Sequence, residues 1–208
     1  MIHGYHVILP VYGFSLPNDP RGAWSEFVGA WELARFGQAR KTIDRRSLRE
    51  LTDDELRLRE AARAALKYPA VCLNGLQARA VGRGFADQVR KSRYAVWACA
   101  IMPEHTHLVI VRHSYAVEQM ANLLKGAATR QLVDEGIHPL AEFAEPGKRP
   151  PRMWAERLWK HFLDSDEAIE DAITYVNNNP LKEGKPAQQW NFVTPYGGLP
   201  QGGWTTYH

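Results

Sequence analysis

Two histidines separated by a single residue, His105 and His107, are the first candidates for chemistry in this chain. Side chains alternate between faces along a strand, so residues two apart point the same way. The segment His105-Thr106-His107-Leu108-Val109-Ile110-Val111-Arg112 is β-branched and apolar enough to be such a strand. Both imidazoles then leave one face together, as a two-ligand metal claw requires. The second group is Tyr175-Val176-Asn177-Asn178-Asn179. On a helix, Tyr175 and Asn179 stand four apart and share a face. Each feature also has a plain structural reading: partly exposed strand histidines, a half-buried Tyr with a wet hydroxyl, an Asn that closes a helix before Pro180. Combined, they allow more. Two imidazoles and one carboxamide oxygen make a three-ligand site for a divalent ion, and a phenol one helical turn away is the nucleophile at hand.

Such a set suits phosphodiester chemistry. Mixed nitrogen and oxygen donors that leave coordination positions open favour Mg²⁺ or Mn²⁺ over a closed zinc site. A cation there neutralises charge developing on phosphoryl oxygens. A free phenol has a pKa near 10, so it needs a cation or a base to act as a nucleophile. Its attack would leave a phosphotyrosine and a free hydroxyl. The bond energy is kept, so a second hydroxyl can reseal the strand without ATP.

The elements that must position these groups follow from local patterns. Residues 5–12 read as a first strand, with Pro10 suggesting an edge or a bulge. Residues 13–51 are punctuated by Gly and Pro and read as an irregular insertion with a short helix near 24–35. Thr52 and Glu55 form a capping box opening a helix that runs to about Lys67, before Pro69. A second helix is expected over 71–91, with Val71, Leu73 and Leu76 among its apolar members. Tyr94–Met102 is an apolar run suited to a central strand, antiparallel to the histidine strand across the break at Pro103-Glu104. Residues 116–135 form an amphipathic helix that Gly136 stops. Residues 139–152 are loop, and 158–163 a short strand. Ser165 caps a last helix that Pro180 and Gly184 end. Strands and helices in this order predict an α+β fold with helices gathered on one sheet face. The last residues, rich in Gly and aromatics, read as an irregular tail suited to core or edge packing.

Of 208 residues, 45% are hydrophobic and 24% charged, with a net charge of +3. This is ordinary globular composition for about one domain, which excludes disorder, collagen and coiled coil as the main description. The charge is too small to mark a nucleic-acid binder and does not exclude one, because local patches matter more than totals. Cys72 and Cys99 sit among apolar neighbours without metal spacing, so they read as buried thiols of a reducing compartment. The first residues lack a basic region followed by an apolar stretch, and no run is long enough to span a bilayer. The expectation is a cytoplasmic protein with no membrane partner.

Three blocks carry a resemblance: Pro103-Glu104-His105-Thr106-His107-Leu108-Val109-Ile110, Leu124-Lys125-Gly126-Ala127-Ala128-Thr129-Arg130, and Tyr175-Val176-Asn177-Asn178-Asn179-Pro180-Leu181-Lys182-Glu183-Gly184. In order and approximate spacing, across residues 94–184, they resemble the IS200-like single-tyrosine transposases, and most of all the REP-associated tyrosine transposase branch. The resemblance implies a ferredoxin-like antiparallel sheet with helices packed on it, of the HUH endonuclease type. It places His105 and His107 as metal ligands, Asn179 as the third ligand, and Tyr175 as the nucleophile. It also implies cleavage and rejoining of single-stranded DNA through a 5′-phosphotyrosine, beside a hairpin and with Mg²⁺ or Mn²⁺. Family members work as monomers or as homodimers with shared sites. On this reading residues 1–184 are the catalytic domain, with an insertion at about 13–70, and 185–208 are the tail. Two positions depart from the pattern: Thr106, usually bulky and apolar, and Glu104, commonly Asn.

Basic residues supply candidate DNA contacts, because affinity for a phosphate backbone comes mainly from Lys and Arg. Lys125, Arg130 and Lys182 lie in the family-like blocks and rank above two longer runs, Arg40 to Arg49 and Arg79 to Arg93, which also read as solvated faces. Two further functions fit part of the pattern. One is a hairpin-binding protein that does not cleave. The other is a metal hydrolase that uses water; it needs a base near the ion, and Glu104 alternates to the wrong face unless the break at Pro103 re-aims it.

Overall fold

The computed structural model describes residues 1–14 and 52–199. The expected helix near 24–35, the Arg40–Arg49 run, Trp204 and Tyr207 lie outside them. Eight elements follow in order: β1 (Gly4–Pro10), α1 (Asp53–Ala64), α2 (Gly75–Ser92), β2 (Val96–Ile101), β3 (His105–Val111), α3 (Val117–Asp134), β4 (Trp159–Leu163) and α4 (Asp166–Lys182). A 3₁₀ turn, Ala141–Phe143, interrupts the loop before β4. The strands form one sheet in the order β2-β3-β1-β4, antiparallel throughout. With α2 crossing from β1 to β2 and α3 from β3 to β4, this is the ferredoxin-like arrangement and an α+β fold.

Proline at position 10 suggested an edge, yet β1 is an interior strand. Its pairing with β4 stops at Ile8 opposite Trp159, so Pro10 lies beyond the ladder that its missing N–H would break. Its carbonyl accepts from Ala155 N–H at 3.0 Å.

The helices divide between the two sheet faces, where the sequence pattern suggested one. Val7, Leu9, Cys99, Leu108 and Ile110 join residues of α2 and α3 in one core. Ala98, Ala100, Met102, Val109 and Leu163 meet Ile169, Ala172 and Val176 of α4 in a second. The physical cause is that β2 and β3 are apolar on both faces, so each face must be covered. Two small residues, Ala98 and Ala100, lie where α4 covers the sheet.

Both capping boxes are formed, Thr52 with Glu55 and Asn74 with Gln77. The second starts α2 four residues later than expected. Val71 and Leu73 are instead buried in extended chain, their N–H groups donating to Tyr12 and Pro103 carbonyls, and Leu76 is exposed. At the other end, α4 runs through Pro180 to Lys182 rather than stopping, and Gly184 takes up φ +69 just after it.

Two glycines inside α2 are sites of close approach. A Cβ on Gly82 would lie 2.2 Å from the Trp190 ring, and one on Gly84 would lie 2.7 Å from the backbone of Ala128 in α3. Backbone cannot give way as a side chain can, so Gly84→Ala is expected to destabilise the protein by roughly 2–3 kcal/mol, despite the better helix propensity of Ala. Urea unfolding of the variant checks this. A gain in stability would show that the two helices separate freely.

The tail finishes the sheet margin. The Gln188 side chain makes two 2.8 Å bonds to the backbone of Ile101, and Thr194 N–H donates to Val96 O at 2.8 Å. Trp190 and Phe192 stack at 6.1 Å over the α2 core. Of the two thiols, both free, Cys99 is buried as expected and Cys72 is exposed, since it lies in the extended chain before α2 with its neighbours turned inward. Burial pushes the Cys99 thiol up, out of the range of a reactive thiolate. No described helix is long and apolar enough to cross a membrane.

Candidate nucleic-acid processing site

The antiparallel pairing of β3 with both neighbours fixes where its side chains go. Thr106 is fully buried on the α2–α3 face with its hydroxyl unbonded, while His105 and His107 turn to the α4 face. Their rings stand 4.7 Å apart at 83°. Tyr175, on α4, brings its ring to 5.6 Å from that of His107. The strand pair and the helix therefore do meet in space. Tyr175 is 41% exposed, so its hydroxyl is open to a substrate that arrives from solvent.

His6 completes the cluster, and sequence reasoning missed it. Its Nε2 lies 3.0 Å from Nδ1 of His107, and its ring is 5.6 Å from Tyr175. His161 of β4 follows at 6.0 Å from His6. Alternation along Tyr5-His6-Val7-Ile8-Leu9 does place His6 opposite the core residues. Only the sheet order, with β1 between β3 and β4, sets it beside His107 and His161. Phe14 packs on His105 at 5.0 Å and on Trp159 at 5.6 Å, walling one side.

Burial governs the electrostatics. His107 is 3% exposed, and its pKa is driven down to about 2, first by desolvation and then by the charges of His105 and His6. His6 is lowered to about 4 by desolvation and by His161. Both rings are thus neutral near pH 7, the form that can coordinate a metal. The contact with His6 engages Nδ1 of His107, which fixes the ring and leaves Nε2 as its other nitrogen.

Among the described residues no three His, Cys, Asp or Glu side chains converge as a metal site. A three-ligand site built from the described residues would draw on another type of donor. Asn179 lies one turn beyond Tyr175 on α4, with a buried amide nitrogen that has no hydrogen-bond partner. Carboxamide oxygen and nitrogen exchange by a simple flip, so the same side chain can offer an oxygen at that position. A donor set of two imidazoles and an unsatisfied carboxamide is chemically suited to a divalent ion.

The three basic candidates part company. Lys182 places its ammonium 4.9 Å over the Tyr175 ring, a cation–π contact at that side chain. Lys125 is 7% exposed and donates to Ala155 O at 2.8 Å, on the α3 side of the sheet, and Arg130 is on the same helix. The Arg79–Arg93 run is partly neutralised: Arg83 makes two bonds to Glu135 at 2.8 and 2.6 Å, and Arg90 pairs with Asp87. Glu104 lies 3.8 Å from Arg63 of α1, so its negative charge has a cation beside it.

No protein-family profile matches the chain. A candidate REP-associated tyrosine transposase of Haemophilus influenzae is 29% identical over 93 residues, which are 42% of this chain and 49% of that protein. The match thus spans about half the length of that relative. Among solved structures, a REP-associated tyrosine transposase bound to a REP hairpin aligns over 91% of this chain and 74% of its own, with a TM-score of 0.45 and 12% identity. A candidate transposase of Deinococcus radiodurans aligns over 86% of this chain and 91% of its own, at 0.37 and 13%. By the sequence match, this chain is a distant homologue of the REP-associated tyrosine transposases.

Proposed function

We propose that this protein cleaves and rejoins single-stranded DNA beside a hairpin, with Tyr175 as nucleophile and His105, His107 and Asn179 as ligands of Mg²⁺ or Mn²⁺. The observation that carries this reading is the packing of Tyr175 against His107, 5.6 Å between rings from separate elements. A divalent ion supplies Lewis-acid neutralisation of charge on the scissile phosphate. The chain's own residues do the rest. Tyr175 Oη attacks phosphorus, and the bond from phosphorus to the 3′ oxygen breaks. The phenol gives up its proton, and the departing 3′ oxygen becomes a hydroxyl. A 5′-phosphotyrosine remains, and attack on it by another 3′ hydroxyl reverses the chemistry. Lys182, above the phenol ring, adds positive charge where the attacking oxygen and the phosphate meet. Glu104 beside Arg63 is poorly placed to serve as the base of a water-using hydrolase.

Incubating the protein with a labelled single strand that carries a hairpin, in the presence of Mn²⁺, should give a denaturant-resistant adduct. Binding without an adduct would favour a hairpin-binding protein. Cleaved ends that bear no protein would favour hydrolysis by water.

His6 is assigned a positioning role through its contact with His107. His6→Ala should lower the rate of adduct formation about 10- to 100-fold at limiting Mn²⁺, with much of the loss recovered at high Mn²⁺. A loss that does not respond to metal would assign His6 a merely structural role.

A further inference from the structure

We infer that Trp159 is a specificity-determining residue: its indole is the face on which the unpaired base next to the attacked phosphate stacks. The inference rests on the reading of Tyr175 and the histidines as a site for single-stranded DNA.

Position comes first. Trp159 opens β4, the outer strand of the sheet, and pairs with Ile8 in the last step of that ladder. Residues two apart on a strand share a face, so Trp159 points the same way as His161 and Leu163. Leu163 lies in the α4 core and His161 lies beside His6, which puts the indole on the face of the histidines and Tyr175. One ring then links it to the site. Phe14 meets Trp159 at 5.6 Å and 60°, and meets His105 at 5.0 Å. Trp159 and His105 are thus separated by the breadth of a single aromatic ring. A phosphate held between the histidines and Tyr175 brings its neighbouring sugars and bases with it, and the base on the β4 side falls to the indole.

The chemistry follows from burial and ring size. Phe14 is 8% exposed, whereas Trp159 and His105 are only partly buried and Tyr175 is open to solvent. Phe14 therefore backs the indole against the site, and part of the indole reaches water. A Trp side chain has only two torsions, so little freedom is lost when a base settles on it. An unpaired base offers a π face, and stacking it on an aromatic side chain is worth roughly 5- to 150-fold in affinity. Stacking reads ring area more than hydrogen-bond pattern, so a purine is favoured over a pyrimidine and no base is excluded. The plain structural alternative is an indole that only walls the site together with Phe14. The two differ in one respect: only a stacking face senses the removal of a base from the DNA.

The test is a cycle between protein and strand. Affinity for a labelled single strand that carries a hairpin is read by fluorescence anisotropy in the Tyr175→Phe background, where no strand is cut. Abasic sites are placed one at a time at every unpaired nucleotide. One position, next to the phosphate that wild type captures, should lose about fivefold or more in protein that has Trp159. With Trp159→Ala the abasic site there should cost nothing further, and exchange of purine for pyrimidine should cease to matter. Trp159→Phe, which keeps a smaller ring, should retain part of the coupling. Base-removal losses that are equal with Trp159 and with Ala at every position would overturn the inference alone, if wild type still forms its adduct. A second measurement needs no variant to fold. Wild type irradiated with 5-iodouracil at that nucleotide should crosslink at Trp159, and crosslinks that map only elsewhere would also overturn the inference. Absence of any adduct in wild type, with the coupling and the crosslink intact, would sink the tyrosine reading and leave the stack standing.

Discussion

Tyr175→Phe is expected to abolish covalent DNA capture while leaving DNA affinity within about twofold of wild type. The substitution removes one oxygen from a side chain that is 41% exposed and has no hydrogen bond among the described residues. The ring contacts with His6 and His107 and the Lys182 ammonium over the ring are all available to Phe. The fold therefore has no reason to change, and the loss reads chemistry alone. Without the phenol oxygen no phosphotyrosine can form, so the effect is total rather than graded. Denaturing gels of the labelled strand with wild type and variant, in Mn²⁺, give the answer. An adduct that persists in the variant would assign the nucleophile to another residue.

Mild acid should weaken the fold steeply. His6 and His107 are held neutral, with pKa values near 4 and 2, whereas in the unfolded chain each takes up a proton near pH 6.5. Below pH 6.5 the unfolded state thus binds more protons than the native one, and stability falls as pH falls. Each ring contributes about 1.4 kcal/mol per pH unit until its native pKa is reached. Between pH 6.5 and 5 the pair accounts for on the order of 3–4 kcal/mol, a large part of the stability of an ordinary domain. His138, also lowered by burial, acts in the same direction. The lowered carboxyls of Glu118, Glu135 and Asp166 contribute only below about pH 4.5. Urea unfolding at pH 7 and pH 5 measures the difference. A stability that stays flat over that interval would show that the rings accept protons in the native state.

Elements with strong local signals were legible in the sequence: the capping box at Thr52, the paired apolar runs of β2 and β3, the Ser165 cap, and Tyr175 in register with Asn179. What the sequence left hidden has one cause, dependence on distant partners. Pro10 reads as an edge until β4 is seen to stop at Ile8. No local pattern marks Gly82 and Gly84 as contact points, which appear only with Trp190 and α3 against them. Val71 and Leu73 fit a helical stripe, and only their bonds to Tyr12 and Pro103 reveal extended chain. In the site, His105 and His107 are neighbours in sequence and were found. His6 is brought to them by β1 lying between β3 and β4, which no local pattern records.

The tail along β2 bears on how copies of the molecule can meet. A strand at the rim of a sheet normally offers free amides and carbonyls to any passing chain. Here Gln188 saturates both groups of Ile101, and Thr194 takes the carbonyl of Val96. Growth of one continuous sheet through two molecules would have to displace this internal plug before a foreign strand could add. A foreign strand adding beside Ile101 or Val96 would first have to displace Gln188 or Thr194.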